Sequence, residues 1–198
     1  MPKLFNAIRL SALIFLMGTA VYGEILDRIV AVIDDRFVIT LSDIRKERAI
    51  QSAFGRDAGN DDAIVDSLVE KHLVEEQIAQ FREIEVPEDV VSKRLQQLKV
   101  PPGISGQDLR EALIGEYRRG QFMTERFQQF IRVSDEELQK YYNEVYAPEA
   151  RNRGGTPAPL EQVVDAIRQN MTAEKMNEEV NSWLMELRRR SIVEKIAN

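Results

Sequence analysis

The chain has 198 residues, 43% of them hydrophobic and 30% charged, with a net charge of −6, one histidine and no cysteine. That length holds one domain or two small ones, in an ordinary globular balance, and the acidic surplus argues against an electrostatic nucleic-acid binder. The lack of cysteine excludes a disulfide framework, a thiol nucleophile and a Cys-ligated zinc site, the single histidine excludes a multi-histidine metal site, and a mean hydropathy of −0.34 excludes a polytopic membrane protein.

The N-terminus reads as an export signal. Lys3 and Arg9 precede an uncharged stretch from Leu10 to Gly23 centred on Leu13-Ile14-Phe15-Leu16-Met17. The stretch is short for a membrane span, which needs roughly 20 residues, and fits a signal-peptide core. Val21-Tyr22-Gly23 predicts cleavage before Glu24, with cleavage after Ala20 as second choice and an uncleaved anchor as the competing reading.

Past residue 23, Ile25–Ile33 and Arg36–Thr40 are two β-branched runs around Asp34-Asp35, a predicted hairpin whose turn lacks the favoured glycine. A helix capped by Thr40 or Ser42 follows, reaching about Phe54, then a loop at 55–60. Helical spacing of Ile64, Val65, Leu68, Val69, Leu73, Ile78 and Phe81 predicts a helix over about 61–83. Pro87 opens the next helix and Pro101-Pro102-Gly103 stops it. Ser105…Asp108 and Ser134…Glu137 are capping boxes. The first leads a helix through Met123, Phe127 and Phe130. The second leads the stripe Leu138, Tyr141, Tyr142, Val145 and Tyr146, which Pro148 is expected to end. Residues 148–159 read as a linker. Leu160–Arg190 reads as helix again, with a possible break near Asn170, and Ile192, Val193 and Ile196 as a last strand. The expected fold is therefore mostly α with a small β-sheet, the N-terminal hairpin pairing with the C-terminal strand.

Chemistry-bearing patterns are sparse. No phosphate loop or nucleophile elbow is present. Asp57–Asp62 superficially resembles a calcium loop, but its glycine is misplaced and Leu68 stands where the loop needs its glutamate. Asp34 and Asp35 read as turn residues rather than paired catalytic carboxylates, and His72 has no obvious nucleophile to serve. Arg188–Arg190 complements a helix C-terminus. Phe122 falls off the Met123/Phe127/Phe130 stripe by roughly a third of a turn. Together with Met123, Tyr141, Tyr142 and Tyr146 it forms the candidate peptide-binding set, since methionine and tyrosine suit a groove accepting varied apolar peptides. Plain core packing is the competing reading.

Asp27–Ile44 (DRIVAVIDDRFVITLSDI), Leu68–Gln77 (LVEKHLVEEQ), Ile84–Val91 (IEVPEDVV), Val133–Tyr142 (VSDEELQKYY) and Asn181–Val193 (NSWLMELRRRSIV) follow one another as in SurA-type periplasmic chaperones, which the chain resembles over nearly all of residues 24–198. The resemblance implies a chaperone core made of a module at 24–147 completed by 160–198. A parvulin prolyl-isomerase domain would be inserted at 148–159, where only a linker stands. The parvulin pocket uses paired histidines, which this chain lacks, so no catalytic residue carries over. The implied function is ATP-independent, periplasmic binding of unfolded or nascent envelope proteins, outer-membrane precursors among them. No cofactor, metal or nucleic acid is expected, nor membrane integration once the signal is removed. An exported scaffold subunit with one defined partner is the alternative, and prolyl isomerisation a second.

Overall fold

The computed structural model describes residues 27–196; the expected leader and both expected cleavage positions lie outside the described residues. Strands β1 (Ile29–Ile33) and β2 (Phe37–Thr40) form the expected antiparallel hairpin. Its turn needs left-handed backbone at two positions, and Asp34 (φ 48°) and Asp35 (φ 55°) supply it. Aspartate tolerates that region better than most side chains. Asp34 also explains why an aspartate serves here. Its N–H donates to the Ile192 carbonyl (2.8 Å) while its Oδ1 accepts the Ile192 N–H (2.7 Å). The turn thereby holds β3 (Val193–Lys195), which pairs antiparallel with β1 and gives the sheet order β2-β1-β3. The fold is mostly helical, with this one three-stranded sheet joining the two ends of the described chain.

Thr40 caps α1 (Leu41–Ala53) in a reciprocal box with Asp43, and Asn60 caps α2 (Asp61–Ala79) by accepting the Ala63 N–H. The second helix stops short of the expected Glu83, so that Ile84 turns back and is buried. Pro87 occupies the cap of α3 (Glu88–Gln96), one residue outside the helix. Ser105 and Asp108 box the start of α4 (Gly106–Phe127), which runs on through a 3-10 turn, and Ser134 and Glu137 box the start of α5 (Asp135–Tyr141).

Pro148 does not end this last helix. A π turn at Tyr142–Tyr146 leads straight into α6 (Ala147–Asn152), which carries Pro148 in its first turn. Proline lacks an N–H and its ring clashes with the carbonyl four residues back. A π turn, with one extra residue in the loop, relaxes that crowding. The stop lies further on. Gly154, at φ 80°, donates to the Arg151 carbonyl (2.9 Å) and Gly155 to the Ala150 carbonyl (3.0 Å), a Schellman motif. Half of the expected linker is therefore helix and helix cap. The last helix, α7 (Leu160–Arg190), is one piece, without a break at Asn170.

Two packed clusters line α7. In the first, Ala31, Ile33 and Ile39 of the sheet meet Ile44 of α1 and Ile64, Val65, Val69 and Leu73 of α2, with Leu187 and Val193 against them. In the second, Val74, Ile84 and Phe122 pack with Met123, Trp183 and Leu184. At the far end, where α5 packs on α7, Leu138, Ala147 and Ile167 are buried. No described helix is long and apolar enough to cross a membrane.

Candidate peptide-binding groove

Helix α3 is short and turns one valine each way. Val91 is buried against its neighbours, while Val90 is 45% exposed. Opposite, α4 presents Leu113, Tyr117, Gly120 and Gln121 at helical spacing, and Phe54 closes the end from the cap of α1. Between them lies a groove of about 390 Å3, at the small end of the roughly 300–1,000 Å3 typical of ligand sites.

Ion pairs set its walls. Both Arg110 guanidinium nitrogens donate to the two Glu88 oxygens (2.8 and 2.5 Å), tying the start of α3 to α4. These bonds, with one from the Ser92 hydroxyl, hold the Glu88 carboxyl at about 2, below its ordinary range. On the lip, Arg56 pairs with Glu116 and lies over the Phe54 ring at 5.2 Å. Arg94, the other cation of the lining, donates only to the Gln97 amide oxygen (3.2 Å) and has no carboxylate partner among the described residues.

Gly120 leaves the floor bare. A Cβ there would meet no atom within 4 Å, so no neighbour requires glycine at this point of the helix. Glycine inside a helix costs about 0.8–1.0 kcal/mol relative to alanine. The one thing the missing side chain creates is room in the groove.

A larger cleft, about 560 Å3, runs between α1, α2 and α4 and is lined largely by charge. Most of its charges are paired, the exceptions among the described residues being Arg118 and Glu111, the latter bonded only by the Gln107 amide. Glu47, 5% exposed, accepts from Lys71 and Gln51 at 2.5 Å each; Glu75 accepts from Arg119 at 2.6 Å; and Lys46 pairs with Asp108. The Lys46 and Ser105 hydrogen bonds hold the Asp108 carboxyl well below its usual range. This cleft fastens helices together and offers a ligand few free groups.

The residues singled out from sequence are not brought together. Phe122, expected off the packed stripe, is the largest of the fully buried side chains at 1% exposure. It misled because α4 packs against both α2 and α7, so its buried arc is wider than one stripe. Met123 packs partly buried beside it. Tyr141, Tyr142 and Tyr146 are half-buried on the α5 segment, Tyr142 and Tyr146 stacking at 5.5 Å while the Tyr142 hydroxyl donates to the Ala158 carbonyl (2.8 Å). None of the five lines the groove. The groove had one sequence signal, a mid-helix glycine at 120 with no packing duty, and helical periodicity does not weigh it. His72 stacks on Phe37 at 3.8 Å, with its Nε2 3.7 Å from Glu76, and Asp34 and Asp35 serve the turn. Among the described residues no group of three or more acidic or histidine side chains is placed to hold a metal ion. No protein-family model matches the chain, and no curated protein matches it.

Proposed function

We propose that the chain is the core of a SurA-type periplasmic chaperone that holds unfolded polypeptides, outer-membrane precursors among them, without ATP, and that the α3–α4 groove seats them. The observation that carries the reading is the groove itself: an open apolar trough whose floor is a glycine the helix does not need. Shallow burial of one or two apolar side chains is weak and tolerant of sequence, as holding many clients requires. The acidic exterior keeps a loaded complex soluble. The succession of hairpin, helices, long final helix and closing strand supports the resemblance drawn from sequence. Only Arg153–Pro159 joins α6 to α7, too short a segment to hold a parvulin-sized insertion at that point.

The test is aggregation of several unfolded β-barrel proteins at near-stoichiometric ratio, with and without the purified protein. Slowed aggregation of all of them is expected. Tight, saturable binding to one native protein, with no effect on unfolded clients, would favour the scaffold reading instead. Uncatalysed X-Pro isomerisation takes tens to hundreds of seconds, so acceleration in the same preparation would expose an isomerase and overturn the holding-only reading.

A further inference from the structure

The charge of the groove bears on which clients it could hold, an inference that rests on that holding function. The lining carries two cations, Arg56 and Arg94, against one carboxylate, Glu116, and Arg56 already neutralises Glu116. What remains is the Arg94 guanidinium beside an apolar wall of Val90, Leu113 and Tyr117, in a chain whose net charge is −6. A lone guanidinium at an apolar trough complements a carboxylate next to an apolar side chain, and its fork can donate to both oxygens. In an extended segment, residues i and i+2 face the same way, roughly 7 Å apart.

We propose that the groove takes an extended polypeptide segment carrying a bulky apolar side chain with an acidic side chain two residues away. The apolar group lies over Gly120 against Leu113 and Tyr117, and the carboxylate pairs with Arg94. Glu116 is held by Arg56, so it does not oppose that carboxylate.

Two fluorescein-labelled nonapeptides test this, both capped at each end, with one leucine among polar residues and either aspartate or asparagine two positions on. Anisotropy titration at low ionic strength should show the aspartate peptide binding roughly two- to fivefold tighter, as an exposed charged pair allows. That preference should shrink at high salt. Arg94→Glu should reverse the preference. Gly120→Leu should abolish binding of both peptides while leaving the melting temperature unchanged or higher, since leucine favours helix over glycine. Equal binding of the two peptides by the native protein, or undiminished binding by Gly120→Leu, overturns this inference. If the same native preparation still slows aggregation of unfolded clients, the holding function survives that loss; if it does not, both fall together.

Discussion

Phe122 sits where three helices converge. Its ring meets Phe81 edge-on at 5.2 Å and lies 5.8 Å from Trp183, with the Arg126 guanidinium 5.9 Å from its centroid. Truncating such a ring removes both its transfer free energy and its packing partners. Phe122→Ala should therefore lower the unfolding free energy by about 3–5 kcal/mol, read from urea titration of the Trp183 emission. A loss below about 1 kcal/mol would mean that the site collapses around the cavity. Glu88 makes a different prediction at this scale. Its carboxyl is held at about 2 against an ordinary 4.5, chiefly by Arg110. Folding thus favours the ionised form, and its contribution is complete above about pH 4.5 and fades as pH falls toward 2. Urea midpoints of the native protein and Glu88→Gln should differ most above pH 4.5 and converge near pH 2. A constant difference across that window would detach the pair from the acid sensitivity. Neither residue's role was legible beforehand. Periodicity gives the direction of one apolar face, whereas Phe122 answers to two neighbours and Glu88 to a partner on another helix.

At the scale of elements, local chemistry proved the better guide. Ser105 and Ser134 cap where their boxes place them, and of the two candidates for α1 Thr40 is the cap, boxed with Asp43, because each box satisfies backbone donors within one turn of chain. Helix ends that depend on tertiary context were misplaced: α2 stops early so that Ile84 can return to the interior, and α6 runs past Pro148 on the slack of a π turn. The strand β3 was legible from three apolar residues, yet only pairing makes it a strand. Ile196 donates to Val30 and Asp34 to Ile192, so by alternation Val32 and Glu194 form the hydrogen-bonded pair between them. Proline at 194 removes one of those bonds without touching an inward-facing side chain. Glu194→Pro should lower the melting temperature by about 2–6 °C, the loss of one hydrogen bond in a chain of this size. An unchanged melting temperature would show that closure of the two ends contributes nothing to stability.

Across the whole molecule, α7 is the common wall. Leu187 belongs to the sheet cluster, Trp183 and Leu184 to the aromatic one, and Ile167 to the α5 contact, so a single helix ties regions that are far apart in sequence. They are not tied equally. The C-terminal half of α7 packs against both α2 and α4, while α5 and its extension lean on the N-terminal half alone, with few fully buried side chains. Much of that contact is polar. Arg168 donates to the Val133 carbonyl and Asp135, and Lys175 to the Arg132 carbonyl and Glu137. Exposed pairs of this kind add about 0–1 kcal/mol each, well below the burial of a large apolar side chain at about 1.5–3 kcal/mol. The protein should therefore open in two steps of unequal cost. In native-state hydrogen exchange, amides of α5, α6 and the first turns of α7 should exchange through a low-energy local opening, while those of α2, α4 and the last turns of α7 exchange only with global unfolding. The α4 wall of the groove lies within the slower unit, so it should stay formed while the α5 arm opens and closes. Uniform protection across α4 and α5 would mean that the molecule unfolds as one cooperative unit and that the polar clamps on α7 are stronger than surface pairs elsewhere.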